Sequence, residues 1–149
     1  MSDIVFVCTG NTCRSPMAAA LASALLNKHG LRVSIGCAGV SAMAGQSISR
    51  NAKLVLDEFG IDFSEHKAQG IGDKLLKEAD LVLAMTVSHL SFVKHVFPNT
   101  NAFTLAEYAG EFYDVSDPFG GDINEYRKCA EQINGLLEKS LNRFKEDFL

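Results

Sequence analysis

The sequence predicts an α/β domain built on a parallel sheet. Short β-branched runs alternate along the chain with stretches whose apolar residues recur every three or four positions. The first such run also passes through a Gly-containing turn directly into a helical pattern. No repeat, low-complexity stretch or linker breaks the alternation, so residues 1–149 read as one domain.

Residues 4–8, Ile-Val-Phe-Val-Cys, are apolar throughout, as a central strand buried on both faces requires. After the loop Thr9 to Arg14, the residues Met17, Ala20, Leu21, Ala24 and Leu25 share one helical face. Ser15 is placed to cap that helix and Pro16 to open it. Residues 31–38 form the second strand pattern. Ile48, Ala52, Val55, Leu56 and Phe59 then make an apolar stripe that Ser47 can cap and Gly60 can end. A short helix is expected over 73–79 and a third buried strand over 81–85. Behind a Thr86 cap, a further helix carries Leu90, Val93 and Phe97 and stops before Pro98. Residues 102–105 supply the fourth strand. In the last helix Ile123, Tyr126, Ala130, Ile133, Leu137, Leu141 and Phe144 recur at helical spacing, and Asp122 with Glu125 suits a capping box. This helix is expected to cover one sheet face.

At 149 residues and 47% hydrophobic content the chain can bury a sizeable core. Its 14 Lys and Arg stand against 18 Asp and Glu, so a nucleic-acid partner is not expected. No stretch reaches the roughly 20 apolar residues of a membrane span. The start, Met1-Ser2-Asp3-Ile4, lacks the features of a secretory signal, and a cytoplasmic location is expected. Four cysteines, Cys8, Cys13, Cys37 and Cys129, are too few for a disulfide scaffold and show no Cys-x-x-Cys spacing. Reduced thiols are therefore the expectation, with no metal site and no cofactor.

In open parallel sheets ligands bind beyond the carboxyl ends of the strands, which directs attention to the loop after the first strand. The segment Cys8-Thr9-Gly10-Asn11-Thr12-Cys13-Arg14-Ser15-Pro16 sets a thiol and a guanidinium at the two ends of a tight loop opening a helix. Successive backbone N–H groups and the positive helix terminus suit a phosphate or similar oxyanion. Arg14 offers a planar fork for two phosphate oxygens, and Gly10 permits close backbone approach or a positive φ. The same field favours an ionised Cys8 sulfur, to which Ser15 can donate, while Asn11 can lock the loop. Such a sulfur facing a phosphoryl group gives displacement through a phosphocysteine intermediate. The leaving atom then needs a proton, and Asp117, fixed before Pro118 and the turn Phe119-Gly120-Gly121, is the candidate acid. Asp114 and Asp122 compete for that role, although Asp122 is better explained as a helix cap. Cys37 and Cys129 read as structural, and His29, His89 and His95 receive no role.

The loop Val7 to Pro16 together with Asp117-Pro118-Phe119 resembles the low-molecular-weight protein tyrosine phosphatase family, and the chain length matches its whole domain. The resemblance implies a single three-layer domain, a four-stranded parallel sheet with helices on both faces. It implies Cys8 as nucleophile, Arg14 as phosphate ligand and Asp117 as acid and base, with Asn11 and Ser15 as loop supports. It also implies His66 as a brace for the loop asparagine, Phe119 as a pocket wall, and Cys13 as a thiol able to trap oxidised Cys8. The substrate implied is a phosphorylated protein or peptide.

Within the family, the loop, Leu83-Ala84-Met85-Thr86 and Asp117-Pro118-Phe119-Gly120-Gly121 are similar to the bacterial protein-arginine phosphatase branch. There a threonine at the position of Thr12 marks phosphoarginine preference. A hydroxyl can accept a guanidinium hydrogen, whereas an aliphatic branch packs better on a phenol ring. Gly120 after Phe119 leaves one aromatic wall where tyrosine-selective relatives often have two. Phosphoarginine is the expected target and phosphotyrosine the alternative; a phosphocysteine carrier and an arsenate reductase are more remote. Cys37 stands where the family often has serine, which predicts weaker bracing from that side but surviving activity.

Overall fold

Strand β1 (Ile4–Cys8) carries no polar residue because it is buried on both faces at the centre of the sheet. The computed structural model describes residues 2–149. Its four strands lie in the order β2-β1-β3-β4, with β2 (Ile35–Gly39), β3 (Leu81–Ala84) and β4 (Ala102–Thr104), and all pairings are parallel. Alternation along β1 divides the core. Ile4, Phe6 and Cys8 point to the face covered by helices α1 (Arg14–Lys28), α2 (Arg50–Glu58) and α6 (Ile123–Lys139). Val5 and Val7 point to the other, where Leu76 of α3 (Asp73–Glu78) and Val93 of α4 (Val87–Val96) pack. This is the expected three-layer α/β domain with helices on both faces. Among the described residues no helix is long and apolar enough to cross a membrane.

Several local expectations shift. The second strand starts at Ile35, the partner of Ile4, because the strand it pairs with itself begins at Ile4. The cap of α2 is Ser49, which accepts from the Ala52 N–H, and not Ser47; Ile48 therefore precedes the helix, and Phe59 is its exposed C-cap. Helix α1 begins at Arg14 behind Cys13, with no side-chain cap. Ser15 and Pro16 thus sit one and two positions inside it. A four-residue helix α5 (Leu105–Tyr108) follows β4 at once, opened by a full capping box between Thr104 and Glu107. The last helical stretch is two helices, α6 and α7 (Leu141–Phe148), which meet at Ser140, whose hydroxyl donates back to the Leu136 carbonyl at 2.8 Å.

Candidate active site

The carboxyl end of β1 delivers Cys8, and the loop behind it turns into α1, whose first-turn N–H groups have no intrahelical acceptor and no capping side chain. They form the positive end of a 15-residue helix beside the thiol. Cys8 Sγ lies 2.9 Å from Ser15 Oγ. Asn11 Nδ2 donates to the same Ser15 oxygen at 2.8 Å. The Ser15 proton then has two acceptors in reach, the sulfur and, at 3.4 Å, the Ala38 carbonyl; the sulfur is nearer. Of the two roles expected of Ser15, the bond to the thiol is present and the helix cap is not.

The positive φ of the loop falls on Asn11, at 58°, and not on Gly10. A Cβ on Gly10 would meet only Thr12 Oγ1, at 3.7 Å. Asn11 is fully buried, and every polar group of its side chain is used: Oδ1 accepts the Gln69 backbone N–H at 2.9 Å and Nδ2 holds Ser15. His66 Nε2 donates to the Asn11 carbonyl at 2.7 Å, and its ring stacks on Phe63. Cys37 Sγ stands 4.0 Å from His66 Nδ1, and burial pushes its thiol up to about 11 against the lowering effect of a side-chain hydrogen bond with Asn11. Gln69 braces the same side, since its side chain also donates to the Cys37 carbonyl at 3.0 Å. From the β2 side, Gly39 backs directly onto the loop, and a Cβ there would run into the Thr9 carbonyl.

Arg14 is buried, with Nη1 donating to the Val115 carbonyl at 2.9 Å and Nη2 lying 3.5 Å from Asp117 Oδ2. That contact brings the loop that carries Asp114 and Asp117, the acidic loop, to the loop that ends at Arg14. The Asp117 side chain is 51% exposed, and its Oδ1 accepts the Phe119 N–H at 3.0 Å, the turn expected around Asp-Pro. Asp114 is engaged elsewhere, accepting the Val87 N–H at the start of α4, and Asp122 caps α6 through the Glu125 N–H. Cys13 Sγ sits 3.4 Å from both Ser49 Oγ and Tyr126 Oη. Cys129 lies under the acidic loop, 3.7 Å from the Ser116 carbonyl, and burial raises its thiol to about 12. Among the described residues no group of three or more His, Cys, Asp or Glu is placed to hold a metal ion.

A cavity of about 330 Å³ collects Cys8, Thr9, Gly10, Thr12, Cys13, Arg14, Asp117 and Phe119 along one wall system. A wider groove of about 670 Å³, lined by Ser49, Asn51, Leu54 and Tyr126, adjoins it across Phe119, which is 78% exposed. Only the smaller cavity brings a thiol, a guanidinium and a carboxyl group together, and chemistry singles it out over size. Sequence reasoning missed Ser41, Met43 and Gln46 on its rim, and also Gln69, His89 and the Val115 carbonyl. Gln69 and Val115 act on the loop through backbone atoms, which no side-chain pattern reveals. His89 was detectable in principle, since it lies in the first turn of a helix that follows a strand ending beside the loop.

The sequence pattern of the family described as low molecular weight phosphotyrosine protein phosphatase matches residues 3–148. A protein-arginine-phosphatase of Bacillus subtilis is 40% identical over 97% of this chain and 98% of its own. The low molecular weight protein-tyrosine-phosphatase PtpB of Staphylococcus epidermidis is 36% identical over 91% of this chain and 94% of its own. Among solved structures, a cysteine-to-serine mutant of the YwlE arginine phosphatase with a phosphorylated active-site serine superimposes with a TM-score of 0.93. It is 39% identical, covering 97% of this chain and 96% of that one.

Proposed function

The chain belongs to the low molecular weight phosphotyrosine protein phosphatase family of cysteine-dependent phosphatases, and from that premise we propose that it hydrolyses protein phosphoarginine. The observation that carries the reading is the meeting of Cys8, Arg14 and Asp117 at one cavity, with Asp117 only 3.5 Å from the arginine. Cys8 attacks phosphorus as the thiolate, held by the Ser15 hydroxyl and the α1 terminus. Amide hydrogens of the loop and the Arg14 fork bind the phosphoryl oxygens, where charge builds up in the transition state. As the N–P bond breaks, Asp117 gives its proton to the departing guanidine nitrogen. The Asp117 carboxylate next takes a proton from water; the water oxygen bonds to phosphorus, the S–P bond breaks, and inorganic phosphate leaves with Cys8 restored.

Substrate choice rests on the cavity wall. Thr9 and Thr12, two hydroxyl residues, line it, and Gly120 follows Phe119 where a second aromatic would extend the grip on a phenol. Relatives named as arginine phosphatases match nearly the full chain. The exposed Phe119 ring keeps phosphotyrosine as the second reading, since it offers a face for an aromatic substrate. The four free thiols fit a reducing cytoplasm.

Released phosphate measured on phosphoarginine and phosphotyrosine peptides tests this. Wild type should favour phosphoarginine, Cys8→Ser should release none, and Asp117→Asn should lower kcat by about 10²–10⁴. Release by Cys8→Ser at the wild-type rate would overturn the nucleophile, and cleavage of phosphotyrosine alone would overturn the substrate.

A further inference from the structure

Thr9 and His89 form a pair that the mechanism leaves without a task. His89 is buried at the third position of α4, where its backbone N–H is accepted by Thr86 Oγ1 at 3.2 Å. The same hydroxyl lies 3.0 Å from His89 Nδ1, and the far ring nitrogen, Nε2, is 2.8 Å from Thr9 Oγ1. With the Thr86 proton on Nδ1, the neutral ring carries its hydrogen on Nε2 and donates it to Thr9. Arg14 on α1 and Asp114 and Asp117 on the acidic loop are the charges facing the ring. Thr9 is held from its other side too, since its carbonyl accepts the Ser41 N–H at 2.9 Å.

Thr9 is the residue next to the nucleophile, it lines the cavity, and its side chain is exposed to whatever enters. A β-branched side chain has few χ1 wells, so a hydrogen bond from a buried imidazole selects which branch is fixed as oxygen. After accepting from His89, that oxygen retains a second lone pair. A guanidinium presents only N–H donors and must find acceptors at its periphery. A phenyl ester presents none.

We propose that Thr9, oriented by His89, accepts a hydrogen bond from a guanidinium N–H of bound phosphoarginine. Thr9 is thus a specificity-determining residue and His89 a positioning residue. The assignment rests on the phosphoarginine reading above and deepens it.

The test compares kcat/KM on a phosphoarginine peptide with kcat/KM on an aryl phosphate. Thr9→Val keeps the shape of an exposed residue and should lower the phosphoarginine value about tenfold relative to the aryl ester. Thr9→Ser should restore the wild-type ratio. His89→Leu should reproduce the Thr9→Val ratio, and the double variant should fall no further than Thr9→Val alone. His89→Phe, ring-sized and without N–H, replaces the leucine variant should that one fail to fold. An unchanged ratio in Thr9→Val overturns the contact, and additive losses in the double variant overturn the role of His89. A wild type inactive on phosphoarginine but active on the aryl ester overturns the substrate reading and this inference with it. Phosphoarginine cleavage with equal losses on both substrates overturns the inference alone.

Discussion

Asn11 concentrates more of the site's geometry than any other loop residue. It takes a left-handed backbone conformation that Asn tolerates better than Ala, and its amide links Gln69 on one side to Ser15 on the other. Asn11→Ala removes both bonds inside a buried site and keeps the strained φ. An unfolding free energy lower by about 3 kcal/mol in urea is expected, with a loss of kcat/KM. An unchanged urea midpoint would contradict this account. The thiols make a second residue-level prediction. Burial raises Cys37 to about 11 and Cys129 to about 12, so both stay protonated at neutral pH. Brief iodoacetamide treatment followed by peptide mass mapping should modify Cys8 and leave Cys37 and Cys129 intact. Prior occupancy by inorganic phosphate should protect Cys8.

At the scale of the element, Asp122 separates stability from chemistry. It caps α6 through the Glu125 N–H at 3.0 Å, five residues after Asp117 but outside the cavity. Asp122→Ala should cost about 1 kcal/mol in urea while leaving kcat within about twofold; a collapse of kcat at unchanged stability would show that the cap aims the acidic loop. The elements also show what a sequence can disclose. The four strands and the main helices were legible because their burial imposes apolar runs or helical spacing. The break at Ser140 was not, because Leu141 and Phe144 continue the apolar spacing of α6 across it. Helix α5 is too short to show a period, although its Thr104 and Glu107 carry the capping signature. The loop motif pointed to Cys8, Arg14 and Ser15 and to a bond from Ser15 to the sulfur, which lies 2.9 Å away, but it also gave Ser15 to the cap of α1, and that helix has no side-chain cap.

For the whole molecule, His89 ties the site to acid stability. Burial and the Arg14 charge hold its imidazole at about 4, below the ordinary 6.5 that it regains on unfolding. Between those values the unfolded chain binds the extra proton. The stabilisation is complete above pH 6.5 and is lost as pH falls toward 4. Urea midpoints should therefore drop more steeply across this interval for wild type than for His89→Gln, which does not titrate there; parallel slopes would contradict the assignment. The order of parts along the chain has a consequence for synthesis. The sulfur emerges from the ribosome near the start, whereas Asp117 and the α6 helix that packs on α1 emerge near the end. A nascent polypeptide therefore holds Cys8 and Arg14 before the carboxylate that reaches Arg14, and the helix that packs behind their loop, have been made.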